Sequence, residues 1–293
     1  MDPAQIVGPI ILFLLMSLVG LDLTLEDFRR VGKKPSAVVA GTASQLICLP
    51  LMTWGIVWAF GLEPAFGAGA VLVAVSPGAG LSNIMASMAR ANAALSVTLT
   101  AVASLLTVVT LPTFASFGTR VFLGESSDVE IPVGSLIGQL VFMLLVPITL
   151  GMVTRARRPD LANRMTPWIQ RVTLAFMVLA VAALTYFAEE EQRTVGTAPI
   201  AFAAAAAWTV SAMAIGWTTA RAIGLDAADR FTFLIEFGAR NIAVSGIVAL
   251  SGLGRLDLTY FSGAYMVVGY PMVACLALWR RRRVGTETAE TVS

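Results

Sequence analysis

The sequence predicts an all-α, polytopic membrane protein with nine transmembrane helices, and three observations lead to this fold class. The composition is strongly apolar, the chain divides into nine apolar segments of helical length, and the basic residues fall in alternate loops. Of the 293 residues, 57% are hydrophobic and only 13% are charged, whereas a soluble domain carries about 25% charged residues. The lipid bilayer is therefore the predicted surroundings of this chain.

Nine segments are long enough to cross a membrane, for which a helix needs about 20 mainly apolar residues. They lie at about residues 6–23, 36–60, 65–90, 93–117, 133–154, 166–187, 198–221, 230–251 and 258–279. The first segment lacks the basic region and cleavage site of a secretory signal peptide, so we expect it to be retained. Residues 1–280 then form one transmembrane domain, and residues 284–293 form a polar cytoplasmic tail that we expect to be disordered.

Basic residues mark the cytoplasmic loops of membrane proteins, and here they separate into two sets of alternate loops. One set, which contains "GESSDVE" and "EEE", holds only Arg120, Arg193 and Arg255. The other set holds most of the 20 basic residues, namely Arg29, Arg30, Lys33, Lys34, Arg90, Arg155, Arg157, Arg158, Arg164, Arg171, Arg221, Arg230 and residues 280–283. The N-terminus is therefore predicted outside and the C-terminus in the cytoplasm. The alanine-rich, arginine-rich composition favours a bacterial plasma membrane.

Several classes of function find no support in the sequence. The net charge is only +2 and no basic run is interleaved with aromatic residues, so nucleic acid is not an expected partner. The chain has no histidine, and Cys48 and Cys275 follow no metal-ligand spacing, so we expect neither a disulfide framework, nor a zinc site, nor an organic cofactor. An intramembrane enzyme is the weaker alternative, because the apolar segments contain no aspartate pair and no GxSxG motif. The sequence does not indicate the oligomeric state.

Two of the nine segments are interrupted in a similar way. The third contains "VSPGAGLSN", where Pro77 lacks an amide donor and two glycines weaken the helix, and the eighth contains "EFGARN". Broken helices occur at membrane depth where protein or a wet cavity satisfies the freed backbone, and in transporters such breaks bind ions and substrates. A simple kink is the alternative. The two breaks take equivalent positions if helices one to four and five to nine form inverted repeats.

Glu236 and Arg240 are the ionisable residues predicted to lie deep in the membrane, where each would cost several kcal/mol if it faced lipid. One explanation is an ion pair between residues four apart on one helix face. The other is a binding site, because neutral oxygen-bearing side chains occur nearby. These are Ser82, Asn83, Ser96 and Thr100. Hydroxyl, amide and carboxylate oxygens together suit a small hard cation, so Na+ is expected, although each hydroxyl alone is more often a bond between or within helices.

Three motifs resemble those of the bile acid:sodium symporter family. They are "GLDLTLEDFRRV", "SPGAGLSNIMASMARANAALSVTLTAVASLLTVVTLP" and "EFGARNIAVSGIVAL". The resemblance covers nearly the whole chain and implies the nine-helix form of a fold in which a core domain, with two crossed broken helices, moves against a panel domain. It also implies a secondary active transporter that works by alternating access. The implied coupling ion is Na+, and the implied substrate is an organic anion, from bile acids to small carboxylates or sulfonates.

By this resemblance, two sodium sites meet at Glu236. The first consists of Ser82, Asn83, Ser96, Thr100 and Glu236, and all five residues have the expected chemistry. The second consists of Gln45, Glu236 and the backbone and side chains of Phe237, Ala239 and residue 240. Relatives typically have glutamine at residue 240, where this sequence has Arg240. A guanidinium has donors but no acceptor and cannot ligate Na+, so the second site is degenerate and Na+ is expected at the first site only.

The role of Arg240 stays open between three alternatives. It replaces the second Na+ as a tethered cation, paired with Glu236 and bonded to the Gln45 carbonyl. It holds an anionic substrate by a two-pronged contact. Or it only neutralises Glu236. A sodium-independent uniporter or a proton-coupled carrier is the alternative function, because Glu236 could titrate.

The substrate is expected at the breaks, where freed amides and a helix N-terminus suit a carboxylate or sulfonate. The expected substrate-binding residues are Gly80, Leu81 and Asn241. Gly80 stands where many relatives have threonine, which removes a hydroxyl from the implied site. The tyrosines and tryptophans of the apolar segments, Tyr265 among them, are expected to anchor or pack rather than to bind ligand.

Overall fold

The protein is represented by a computed structural model that describes residues 34–123, 133–168 and 199–290, together with 13–14, 16–21, 23–24, 26, 29, 171–172 and 175. Within these residues, every regular element is helical, and the one β-type contact is an isolated antiparallel bridge between Gly78 and Arg240. The predicted all-α class is therefore confirmed for this part of the chain.

Ten α-helices with complete bounds define the architecture. They are α1 Pro35–Phe60, α2 Pro64–Val75, α3 Gly80–Met88, α4 Ala93–Leu123, α5 Val133–Leu140, α6 Val146–Arg157, α7 Pro199–Ala222, α8 Ala227–Gly238, α9 Ile242–Ile247 and α10 Tyr260–Glu290. The π-helical segments Val141–Leu145 and Val248–Gly252 continue α5 and α9, and a 3₁₀ turn, Leu256–Thr259, precedes α10. Residues 16–21 and 159–168 are also helical.

Five helices in the described ranges are long and apolar enough to cross a membrane, which agrees with a multi-pass membrane protein. They are Pro35–Phe60, Ala93–Gly118, Ile137–Arg157, Pro199–Ala222 and Leu256–Val284. The predicted segments 65–90 and 230–251 are each divided into two shorter helices. The predicted segments 6–23 and 166–187 lie mostly outside the described residues.

Both breaks fall within the motifs that predicted them. Helix α2 has 12 residues and would extend only about 18 Å, which is too short to cross the bilayer alone. It ends at Val75, because Pro77 has no amide for a further helical bond and Gly78 after it weakens the next turn. Helix α8 also has 12 residues and ends at Gly238, and α9 begins after Asn241, whose side chain caps its first turn.

The end of the chain differs from its prediction. We expected a disordered tail from residue 284, but α10 continues to Glu290. Residues 280–290 are mostly arginine, glutamate, alanine and threonine, and the first three of these have good helix propensity. A polar composition therefore did not end this helix.

An apolar cluster supports the second broken helix. Helix α7 packs against α8 and α1, and the side chains of Trp208, Phe233, Phe237, Phe261 and Tyr265 are fully buried in one cluster. The rings of Trp208 and Tyr265 meet edge to face, with centroids 5.3 Å apart. Because Tyr265 also bonds to the second break, as described below, this cluster fixes the break to the body of the molecule.

Candidate functional site

The two breaks cross and satisfy each other's freed backbone groups. The amide of Ala79 donates to the carbonyl oxygen of Ala239 at 3.0 Å, and the amide of Asn241 donates to the carbonyl oxygen of Pro77 at 2.9 Å. These bonds flank the bridge between Gly78 and Arg240. Buried backbone groups need such partners in an apolar medium, so each break is stable only because the other lies against it.

Two tyrosines of α10 hold the second break from the other side. The amide of Arg240 donates to the hydroxyl of Tyr265 at 2.8 Å, and that hydroxyl donates to the carbonyl oxygen of Gly238. The hydroxyl of Tyr270 donates to the carbonyl oxygen of Arg240. Sequence analysis assigned Tyr265 only to anchoring or packing and did not single out Tyr270. Both tyrosines lie well inside the predicted segment 258–279 rather than at its ends, and this depth is the signal in the sequence that favours a bond inside the protein over anchoring at the membrane surface.

The carboxylate of Glu236 is fully buried and accepts three hydroxyl bonds. Its Oε2 lies 2.6 Å from the hydroxyl oxygen of Ser82 and 2.8 Å from that of Ser96, and its Oε1 lies 2.5 Å from that of Thr100. Ser82 belongs to α3, the other two hydroxyls belong to α4, and Glu236 belongs to α8. Three helices therefore bring together the residues predicted for the first cation site.

Asn83 completes this group of oxygens. Its Oδ1 lies 2.9 Å from the hydroxyl oxygen of Ser96 and 3.5 Å from that of Thr100. The hydroxyl of Ser82 also lies 2.6 Å from the carbonyl oxygen of Ala79. Each of the three hydroxyls thus has two acceptors within reach and only one hydrogen to donate. This excess of hard oxygen acceptors over donors is the chemistry that a small cation such as Na+ satisfies.

The guanidinium of Arg240 lies at the C-terminus of α2 rather than against Glu236. Its Nη2 donates to the carbonyl oxygens of Ala74, at 3.3 Å, and Ser76. The C-terminal carbonyls of a helix carry partial negative charge and favour a cation. Although the structure describes both residues, no Arg240 nitrogen lies within 4.0 Å of a Glu236 oxygen. The predicted direct ion pair is therefore wrong, because α8 ends between the two residues and they share no helix face.

The other residues of the predicted second site are also buried. Gln45 is 1% exposed, and neither its amide oxygen nor its amide nitrogen has a hydrogen-bond partner among the described residues. The expected bond from Arg240 to Gln45 is therefore not formed. Phe237 stacks on Phe233, and the carbonyl oxygen of Ala239 accepts the crossing bond. The Nε and Nη1 atoms of Arg240 also lack a partner within the described part of the chain.

The residues predicted to contact substrate lie at the first turns of α3 and α9. Gly80 and Leu81 begin α3 and are partly exposed. The side-chain oxygen of Asn241 accepts a bond from the amide of Val244 at 3.3 Å, so it caps α9. Its amide nitrogen and the second lone pair of that oxygen are left to contact a further group. The structure therefore places these three residues beside the crossing, at the N-termini of both second half-helices.

A second polar cluster lies where α1, α4 and α8 begin. The ammonium group of Lys34 forms an ion pair with Asp229, whose other oxygen accepts a bond from the side-chain amide of Asn92 at 2.7 Å. Asp229 is 1% exposed, whereas the side chain of Lys34 is 48% exposed. The hydrogen bond to Asp229 raises the pKa of the Lys34 ammonium above its ordinary value of 10.5. This cluster joins the ends of three helices at the predicted cytoplasmic face.

Comparison with known proteins matches the chain to one family and to several proteins named as transporters. Residues 9–193, more than half of the chain, match the family described as the Sodium Bile acid symporter family. A Bacillus subtilis protein, named an uncharacterized sodium-dependent transporter, YocS, is 25% identical over 248 residues. The alignment covers 85% of this chain and 75% of that protein.

Plant proteins give the same indication. The probable sodium/metabolite cotransporter BASS1, chloroplastic, of Arabidopsis thaliana is 26% identical over 267 residues, which cover 90% of this chain and 64% of that protein. The probable sodium/metabolite cotransporter BASS3, chloroplastic, of Oryza sativa subsp. japonica is 31% identical over 170 residues, which cover 58% of this chain and 38% of that protein. The chain thus spans less than two thirds of the length of both plant relatives.

Proposed function

The chain belongs to the sodium bile acid symporter family, which makes it a membrane transporter rather than an enzyme, and from this premise we propose how it couples transport to Na+. One Na+ binds among Ser82, Asn83, Ser96, Thr100 and Glu236. The fixed charge of Arg240 takes the place of a second ion. The bound Na+ and an organic anion then cross the membrane together by alternating access.

The group of oxygens around Glu236 carries this proposal. A buried carboxylate in an apolar medium requires a positive partner or several donors, and here three hydroxyls are shared between the carboxylate and other acceptors. Na+ would accept electron density from all of these oxygens and would free each hydroxyl hydrogen to bond elsewhere. None of the ligands is a soft donor, which supports Na+ over a transition metal.

The contacts of Arg240 support its role as a tethered cation. A residue that is 1% exposed and bonded to the carbonyls that end α2 is held in place before any ligand arrives. The local charges of Glu236 and Arg240 sum to zero, so one Na+ adds a single positive charge at the crossing. That charge matches a substrate with one negative charge.

We propose a small carboxylate or sulfonate, or a bile-acid-like anion, as the substrate, bound at Gly80, Leu81 and Asn241. The partial exposure of the first turn of α3 and the positive end of that helix support this choice. We also propose that the broken helices belong to inverted repeats in a nine-helix fold with core and panel domains. The proposed location is a bacterial plasma membrane, with the N-terminus outside and the C-terminus in the cytoplasm.

Uptake into proteoliposomes tests the proposed coupling. Labelled taurocholate, pyruvate and pantoate are each offered under an inward Na+ gradient, an inward proton gradient and no gradient, with Glu236→Gln as the inactive control. We expect accumulation of at least one anion under the Na+ gradient alone. Equal uptake without Na+ would overturn the proposed coupling to Na+. Accumulation driven only by the proton gradient would favour a proton-coupled carrier in which Glu236 binds the proton.

A further inference from the structure

Two glycines lie close together here, Gly78 in the first break and Gly80 at the start of α3, and they differ in what surrounds them. A methyl group on Gly78 would lie 1.8 Å from Oε1 of Glu236 and 3.0 Å from the hydroxyl oxygen of Thr100. A methyl group on Gly80 would meet only a side-chain carbon of Val19 at 3.5 Å, an ordinary contact. The carboxylate of Glu236 therefore occupies the space that a side chain at residue 78 would need.

Backbone conformation does not explain a glycine at residue 78. The glycines with a positive φ in the described part of the chain are Gly61, Gly224 and Gly254. Gly78 has a backbone that alanine can adopt, so the requirement at this position is for space. Backbone bonds on either side of the bridge between Gly78 and Arg240 hold this segment against the second break.

We propose that Gly78 is the positioning residue of the cation site, an inference that rests on the proposed function of Glu236. The missing side chain lets the carboxylate lie directly against the backbone of the crossing. From there it reaches the hydroxyls of α3 and α4 at the same time. Any larger residue displaces the carboxylate and separates it from Ser82, Ser96 or Thr100.

The test compares Gly78→Ala with Gly246→Ala, an equal change in α9 where an added methyl group would meet nothing within 4 Å. The unfolding temperature of the full chain in detergent is measured at increasing Na+, with choline keeping the ionic strength constant. Gly78→Ala is expected to weaken Na+ binding by about tenfold to a hundredfold, the usual effect of changing a residue that orients a metal ligand. Gly246→Ala is expected to keep the wild-type Na+ response.

A double variant separates displacement of the carboxylate from general damage. Glu236→Asp shortens the side chain by one methylene and removes the contact with a methyl group at residue 78. In Na+-free buffer, Gly78→Ala should therefore lower the unfolding temperature by several degrees in the wild-type background and by clearly less in the Glu236→Asp background. Equal losses in both backgrounds would overturn the positioning role.

The two measurements also separate this inference from the proposed function. A coupling between residues 78 and 236 without any Na+ response in the wild type would support the positioning role and overturn the sodium site. A wild-type Na+ response that Gly78→Ala leaves unchanged would support the sodium site and overturn the positioning role.

Discussion

The first break, residues 76–79, consists of small residues, whereas the second, residues 239–241, carries a buried arginine and an asparagine. In each break, a backbone amide donates a hydrogen bond to a backbone carbonyl oxygen of the other break. The first break supplies space, since the carboxylate of Glu236 lies where a side chain of Gly78 would be. The second supplies charge, since Arg240 reaches across to the carbonyls that end α2.

This difference explains how two similar interruptions can have different roles. Oxygens converge beside the first break, where we propose that a mobile cation binds. A guanidinium fixed by its own chain reaches the C-terminus of α2, and its backbone is held by Tyr265 and Tyr270. We therefore expect changes beside the first break to affect Na+ binding, and changes in the second break to affect the charge carried in each transport cycle.

Glu236→Gln is expected to have the largest effect. It removes the formal negative charge of the proposed cation site while keeping the size of the side chain. The affinity of an oxygen site for a cation falls steeply when a negatively charged ligand is lost. Na+ affinity should fall about a hundredfold or more, measured as the Na+-dependent rise in unfolding temperature. Ser87→Ala, an exposed change on the same helix as Ser82, should leave that rise intact. An unchanged Na+ response in Glu236→Gln would mean that Na+ binds elsewhere.

Arg240→Gln is expected to make transport sensitive to the membrane potential. In the cycle that we propose for the wild type, one Na+ and one singly charged anion cross together, so no net charge moves. The glutamine variant can take a second Na+, and one net charge at 100 mV then corresponds to about 2.3 kcal/mol, or about fiftyfold in accumulation. Uptake into proteoliposomes clamped with valinomycin and K+ measures this. A wild type that already responds to voltage with a singly charged anion would contradict the fixed-charge role.

Tyr265→Phe is expected to cost more stability than Tyr270→Phe. The first change removes the 2.8 Å bond from the amide of Arg240 and the bond to the carbonyl oxygen of Gly238. The second removes the bond to the carbonyl oxygen of Arg240 and a weaker contact with the amide of Ile242. Each unsatisfied buried group costs about 1–3 kcal/mol. Thermal unfolding in Na+-free detergent should rank the two variants in that order, and the reverse order would show that α10 does not hold the break as described.

Lys34→Gln, away from both breaks, is expected to have the smallest effect. Glutamine keeps an amide donor for the buried carboxylate of Asp229, which also keeps its bond from Asn92, so the variant loses only the charge attraction of a half-exposed ammonium group, about 1 kcal/mol or less. Because the pKa of Lys34 is raised in the folded protein, this contribution is present below the unfolded value of 10.5 and is lost as the pH rises through the folded value. The difference in unfolding temperature from the wild type should thus stay constant between pH 7 and about pH 9. Arg221→Gln, which removes an equal charge from an exposed helix end, is the control.

Much of the fold and of the first site could be predicted because the relevant properties are local. Pro77 is followed by Gly78, and this pair interrupts a helix, whereas Pro50, Pro112 and Pro271 have no glycine after them and lie inside α1, α4 and α10. Residues four apart on α4 share a face, as Ser96 and Thr100 do. The partners of Arg240 could not be predicted in the same way. Spacing of four residues predicts a shared face only while the helix continues, and α8 ends at Gly238 between the two charges.

The role of Tyr265 was missed for a related reason. Tyrosine is common at the membrane surface, and a sequence gives the depth of a residue only through the limits of its segment. Those limits are uncertain, as α10 shows by continuing to Glu290. Which hydroxyl reaches which backbone group depends on packing between helices distant in sequence, such as α8 and α10.

The number of Na+ ions bound per protein tests the central claim most directly. Equilibrium binding of radioactive Na+ to the purified full chain needs no knowledge of the substrate. One exchangeable Na+ per wild-type chain, two per Arg240→Gln chain and none per Glu236→Gln chain are the expected values. Two Na+ ions bound to the wild type would contradict the replacement of an ion by Arg240.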